Sequence, residues 1–315
     1  VHFLKLIRPI NLAIIVLTMY GVRFYILNSN SFQKIDDDWI DFLLLVVSTV
    51  LIAAGGNIIN DYFDVKADRI NKPEKLIITK HIDRRWAILT HWIFNGIAFS
   101  IAIFLSIKYQ SLWYVFIHLI SINALWFYSM YFKRKVLIGN FMIATLTALI
   151  PLLVLIYFQV GNSFATEHSE FVPESWTAMI DYSLIYMLTF FAFIQNIARE
   201  IIKDAQDVEG DKLIYVKSLP MIIGQKKSLL FVAFILAILP AFYIWISIVK
   251  MNSFIGTVQF WTATIPFGVA AAINLIVLFL IFMNKKKHLK LYDALIKISM
   301  LVGVLATYYI GYLHL

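Results

Sequence analysis

The 315-residue sequence contains no cysteine. That absence excludes disulfides, thiolate metal sites and a cysteine nucleophile. Charge is scarce as well: Asp, Glu, Lys and Arg make up 15% of the residues, against about a quarter in an ordinary soluble chain. Hydrophobic residues fill 61%, and the mean hydropathy is +0.80. So much apolar surface cannot be hidden inside a water-soluble particle of this length. A soluble enzyme, a secreted disulfide scaffold and a disordered chain are excluded, and most of the sequence is built for lipid. The net charge of +8 then reads as a loop bias of a membrane protein, not as a footprint for nucleic acid.

What is present is a series of long apolar runs. A helix crossing a hydrocarbon layer of about 30 Å needs about 20 apolar residues. That ruler predicts nine spans, over residues 9–28, 39–60, 86–107, 111–130, 138–160, 178–200, 227–249, 259–283 and 291–312. They predict an all-α polytopic membrane protein, because a β-barrel would show short alternating segments instead. The first run has full span length and no small-residue cleavage site before Asn28–Ser31, so it reads as a span and not a cleaved leader. Twenty-two of the 27 Lys and Arg fall on one side of this arrangement, from Lys5 and Arg8 to the run Lys285–Lys287. The positive-inside rule puts that side and the N-terminus in the cytoplasm and the C-terminus outside, in an integral protein of the cell inner membrane.

Acidic residues break the pattern. They gather among the bases in two loops that share the spacing D-x-x-D-x-x-x-D: Asp61, Asp64 and Asp68, then Asp204, Asp207 and Asp211. Each cluster follows directly on an apolar span, the second and the sixth. The offset of four spans predicts a duplicated four-helix unit, with repeats of about 1–135 and 136–283 and a ninth span added. Spacing of three and four sets the carboxylates on one face if the helix continues past the span. Like charges so placed repel unless a cation sits among them. Mg²⁺ takes oxygen ligands and is usually held by one or two carboxylates together with substrate phosphates. The bases Arg69, Lys72, Lys75, Lys133, Arg134, Arg199 and Lys203, on the same side of the membrane, can pair with phosphate oxygens. One such cluster alone reads as a solvated acidic turn. Two identical copies, each at the end of a span, point to a polar site at the membrane boundary.

At these residues the sequence resembles the UbiA superfamily of intramembrane prenyltransferases. Asn60-x-x-x-Asp64-x-x-x-Asp68 and Asp204-x-x-Asp207-x-x-x-Asp211 are similar to that family's two aspartate-rich motifs. Arg8-Pro9-Ile10-Asn11, Tyr128-Ser129 with Lys133-Arg134, and Gly139-Asn140 resemble further family stretches. Asn60 to Pro73 and Arg199 to Asp211 most resemble the digeranylgeranylglyceryl phosphate synthases, which alkylate a glyceryl phosphate ether lipid. One stretch departs from the pattern. After Asn71-x-Pro73 the family usually continues Arg-Pro-(Ile/Leu)-Pro-Ser-Gly, where this chain has Lys75-Leu76-Ile77-Ile78-Thr79-Lys80, so a differently shaped loop is expected.

The resemblance implies an allylic prenyl diphosphate donor whose chain lies between helices beside membrane lipid. Its diphosphate would sit between the clusters on two Mg²⁺ ions. Asn60, Asp64 and Asp68 would hold one ion and Asp207 and Asp211 the other, with Asp61 and Asp204 close by. Arg8, Lys72, Tyr128, Lys133, Arg134 and Lys203 would contact substrate. The lipophilic acceptor would be a glyceryl phosphate ether hydroxyl or, alternatively, an aromatic quinone precursor. A secondary transporter is the reading from another class, since such proteins also carry repeats and intramembrane charges. Transport, however, calls for ionisable groups near mid-span.

Other candidates have plainer readings. The seven His residues form no close pair and read as interfacial or packed. Asp293 and Lys297 read as a local ion pair more than as an ion path. Trp126, Phe127 and Tyr128 read as interfacial belt, with a cation-stabilising face toward the donor as the alternative.

Overall fold

In lipid each backbone N–H and C=O must find its partner within its own segment, which leaves helices as the form for long apolar runs. The computed structural model describes residues 2–28, 39–71, 73–165, 176–213, 216–253, 258–283 and 288–313. Lys72 and the run Lys285–Lys287 lie outside the described residues. The helices are α1 (His2–Ile7), α2 (Pro9–Asn28), α3 (Trp39–Asn71), α4 (Arg84–Lys108), α5 (Trp113–Met130), α6 (Ile138–Ala165), α7 (Trp176–Gln206), α8 (Val208–Leu213), α9 (Leu219–Ile223), α10 (Gln225–Ser253), α11 (Val258–Phe282) and α12 (Leu289–Leu313). Among the described residues nine of these, α2 to α7 and α10 to α12, are long and apolar enough to cross a membrane. Each corresponds to one predicted span.

Sequential helices pack side by side, and α12 returns against α2 and α7, so the bundle closes on itself. Its interior is apolar and aromatic, with Met19, Phe42, Tyr114, Phe158, Leu236 and Tyr292 among the buried side chains.

The two acidic clusters are not loops, and here the structure corrects the sequence reading. Helix α3 runs unbroken past residue 60, through all three aspartates to Asn71, and α7 runs on to Gln206. Hydropathy ends where polar residues begin, but backbone hydrogen bonding does not. Residues 60–71 contain neither Gly nor Pro, and Pro73 disfavours helix only at the residue before it. The polar ends of α3 and α7 are therefore continuations of spans.

The stretch that departs from the family pattern is a tight turn. The Ile77 carbonyl accepts from the N–H groups of Lys80, His81 and Ile82, and Thr79 takes a left-handed φ of 77°. The turn drives Ile78 into a small core with Leu6, Ile58, Val65 and Ala87. Its run of apolar residues is thus an anchor beneath α1. At the joint between α1 and α2, Arg8 is also left-handed, with φ 57°, and Pro9 opens α2 at a position where its missing N–H costs nothing.

Candidate functional site

The uninterrupted helix at the end of α3 places Asp61, Asp64 and Asp68 along one face, because residues three and four apart are neighbours on a helix. The second cluster has a different backbone. Helix α7 stops at Gln206, Asp207 sits in a bend, and α8 begins at Val208. The i to i−4 bonds survive the bend, since Asp207 N–H donates to the Lys203 carbonyl (3.0 Å) and Asp211 N–H to that of Asp207 (3.1 Å).

The two clusters are joined directly. The Asn71 side-chain amide donates to the Asp207 carbonyl (2.9 Å), and its oxygen accepts from Gly210 N–H (2.7 Å). A Cβ at position 210 would collide with that Asn71 carboxamide, so the close approach requires glycine there. The end of α3 is thereby fixed to the start of α8.

Several of these carboxylates are met by side chains of the protein itself. Arg8 Nη2 pairs with Asp61 at 2.5 Å, and Lys133 Nζ pairs with Asp64. Asn140 Nδ2 donates to Asp204 at 2.9 Å. Lys203 pairs with Glu200 one turn earlier on α7. Asp68 and Asp64 add to the negative potential at Arg8, and Asp207 to that at Asp211. Tyr128, from α5, is within electrostatic reach of Glu200, Lys133, Asp204 and Asp64. Arg134 is exposed, with its carbonyl accepting from Lys217 N–H (3.1 Å). Most of the residues named from the sequence thus surround one polar region, while Arg199 is turned away. Its Nε donates to Asp293 on α12 at 2.8 Å, and Lys297 holds the other Asp293 oxygen at 2.7 Å. The expected local pair is present, extended by a third charge from a distant helix.

Charge is concentrated here. Burial acts to lower the Lys133 ammonium, but Asp64, Tyr128 and Asp211 outweigh it and raise it well above the usual lysine range. Burial likewise acts against the Arg8 guanidinium, and Asp61 more than offsets it. Asp211 is pushed up to about 7, first by burial and then by Asp204, Asp207 and Asp64, with Lys133 opposing. Six aspartates and Glu200 share this region with the paired bases Arg8, Lys133 and Lys203, so its carboxylates outnumber those bases. One polar atom has no partner: Asn60 Oδ1 is buried without a hydrogen bond.

Among the described residues, no three Asp, Glu or His side chains converge closely enough to hold an ion as they stand. The chemistry of the set nonetheless suits a hard cation: all donors are oxygens, one amide oxygen is unpaired, and carboxylates outnumber the paired bases.

Sequence reasoning missed Asn71 and Glu200 as site residues and quoted Asn140 only within a family stretch. Glu200, the last residue of the predicted sixth span, was passed over although an acidic group at a span end is itself a signal. The three consecutive aromatics of α5 divide. Trp126 packs with Phe63, His91 and Trp92, Phe127 is exposed and Tyr128 is within electrostatic reach of the clusters. His91 and His118 are packed, the first on the Gly55 carbonyl (2.9 Å) and the second on that of Tyr114 (2.8 Å).

An all-α bundle whose span ends bring two aspartate clusters together matches a known family. Residues 14–301 match the UbiA prenyltransferase family, and the chain belongs to it. The digeranylgeranylglyceryl phosphate synthase of Thermococcus gammatolerans is 34% identical over 192 residues, which cover 61% of this chain and 59% of that relative. The matched stretch spans less than two thirds of the relative's own length. A solved structure concerned with digeranylgeranylglyceryl phosphate synthase in membranes is similar at TM-score 0.63 and 25% identity, over 98% of this chain and 97% of that one. A UbiA homologue from Archaeoglobus fulgidus, bound to DMAPP and Mg²⁺, shares the fold at TM-score 0.58 and 17% identity, over 98% and 99% of the two chains.

Proposed function

We propose that the protein transfers a prenyl group from an allylic prenyl diphosphate to the hydroxyl of a glyceryl phosphate ether lipid, with Mg²⁺ as cofactor. The observation that carries this reading is the pair of aspartate clusters tied across α3 and α8 by Asn71. Two like-charged clusters held that close favour a cationic ligand between them, and the bases beside them can pair with the phosphate oxygens that such a cation carries. The names of the relatives and the Mg²⁺ and DMAPP in the A. fulgidus neighbour support the same reading.

Asn60, Asp64 and Asp68 would hold one ion, and Asp207 and Asp211 a second. Bound there, Mg²⁺ supplies the charge that stabilises the departing diphosphate. Arg8 and Asn140 orient Asp61 and Asp204, so these carboxylates keep fixed positions beside the ligands. Lys133, Lys203 and Arg134, with Lys72 from outside the described residues, offer charged donors to phosphate oxygens. Tyr128, within electrostatic reach of Asp64 and Asp204, would offer a π face to the developing positive charge. In the transfer the allylic C–O bond to diphosphate breaks. A new C–O bond forms to the acceptor oxygen, whose proton is released. The apolar interior accepts the prenyl chain and keeps water from the cation. Both clusters are assigned to the cytoplasmic face, with a duplicated four-helix unit as their origin.

The test is direct. Purified protein is incubated with Mg²⁺, geranylgeranyl diphosphate and a panel of glyceryl phosphate ethers and aromatic acids, and products are identified by mass. A prenylated glyceryl ether is the expected product. A prenylated aromatic acid in its place would move the acceptor to the quinone-precursor class, and no product with any acceptor would overturn prenyl transfer.

A further inference from the structure

Lys133 belongs to neither cluster, yet its ammonium pairs with the first and is within electrostatic reach of the second. It sits on the 3-10 turn Phe132–Arg134 that joins α5 to α6. Its Nζ is paired with Asp64 of the first cluster, whose side chain is 9% exposed. It is also the main charge opposing the carboxylates around Asp211 of the second. The turn is well held. The Arg134 carbonyl accepts from Lys217 N–H at 3.1 Å, and Gly139 packs so closely that a Cβ there would lie 3.0 Å from both Lys133 Cα and the Phe132 carbonyl.

A divalent ion entering by itself would have to take the buried Asp64 from a tethered, part-buried ammonium. Lys133 would then lose its paired carboxylate to a second cation and face that cation's like charge at close range, which is unfavourable. A diphosphate arriving with the metal removes that obstacle, because its oxygens give the ammonium a new charge-assisted partner. Resting on the prenyl-diphosphate reading above, we propose that Lys133 is an exchangeable counter-ion of Asp64. It neutralises the empty site, moves to the diphosphate when substrate binds, and makes the site take metal and diphosphate together in preference to metal alone.

The coupling is measurable without turnover. Mn²⁺ binding to the purified full chain is followed by electron paramagnetic resonance, alone and with geranylgeranyl S-thiolodiphosphate, whose C–S bond resists ionisation. The wild type should bind Mn²⁺ alone weakly and about tenfold or more tightly with the analogue, within the range usual for coupled sites. Lys133→Met should bind Mn²⁺ alone about tenfold more tightly than the wild type and lose most of the coupling. Lys133→Arg, which keeps the charge, and Lys135→Met, which removes a charge from the exposed Lys135 nearby, should behave like the wild type. A Lys133→Met protein that binds Mn²⁺ alone no more tightly than the wild type overturns the counter-ion role. If the wild type still retains Mn²⁺ with the analogue, the proposed function stands in that case. Failure of the wild type to retain Mn²⁺ even with the analogue takes down both. Should Lys133→Met not fold, thermal unfolding of the wild type decides. Mn²⁺ with the analogue should raise the midpoint well beyond Mn²⁺ alone, and an equal rise from Mn²⁺ alone overturns the proposal.

Discussion

The two aspartate clusters share one spacing but are built on different backbones. Asp61, Asp64 and Asp68 ride on a single helix that began as a membrane span. Asp204 ends such a helix, Asp207 occupies a bend and Asp211 starts afresh on a six-residue helix. The first cluster inherits its rigidity from the bundle. The second borrows it from Asn71, which holds the Asp207 carbonyl and the Gly210 N–H. A shared sequence pattern therefore hides an unequal division of labour, in which one half is the frame and the other is fastened to it.

The largest effect should be common to both halves. Excess EDTA should abolish turnover in the product assay. Asp64→Ala and Asp207→Ala should each lower turnover by about a hundredfold or more, as removal of a single charge-stabilising group does elsewhere, with helicity in detergent unchanged. If one of the two variants kept more than half the wild-type rate, the clusters would not be partners in one reaction.

The next effect should separate the halves. Gly210→Ala drives a methyl group into Asn71 and should displace the second cluster by a fraction of an ångström or more, lowering turnover about tenfold to a hundredfold. Ala67 faces the interior of the first half, where the helix needs no such tie, so Ala67→Gly should act only through helix propensity, about 1 kcal/mol. Equal losses of activity in the two variants, at equal thermal stability, would erase the contrast.

A smaller effect is expected from Asn140→Ala. Removing the amide leaves Asp204 without its 2.9 Å donor, and such a loss costs about 1–3 kcal/mol at a buried acceptor. Turnover should fall about tenfold, and a wild-type rate would show that the orientation of Asp204 is immaterial. The smallest change should follow Lys297→Met. Its side chain is 42% exposed, Arg199 still holds Asp293, and the thermal midpoint should move by no more than about 1 kcal/mol implies. A large drop would mean that α12, and not α3, frames the second cluster.

These contrasts also show what could be read from the residues alone. The nine spans were legible because length and hydropathy are local properties, and so was the Asp293–Lys297 pair at helical spacing. The reach of α3 to Asn71 was not, since a hydropathy ruler stops at the first polar residue while the helix stops at a backbone obstacle. Arg199 could not be paired with Asp293, which is a distant residue brought close only by packing. Asn71 escaped for a related reason. An uncharged amide gives no signal by composition, and its importance comes from two backbone groups on another helix. Gly210, inside an otherwise acidic motif, was the one available hint that something approaches the backbone there.

The joint at Arg8 records a choice between two demands on one position. Its left-handed backbone is the kind that glycine adopts freely, and a side chain there is held at a cost of order 1–3 kcal/mol. The chain keeps an arginine, and that arginine reaches Asp61. Selection for stability alone would favour glycine, as it favours relief of strain at many functional positions. Arg8→Gly is thus a substitution with two opposite signs, easing the main chain while stripping a carboxylate of its counter-charge. The thermal midpoint of that variant reads the balance of the two, and its turnover should fall.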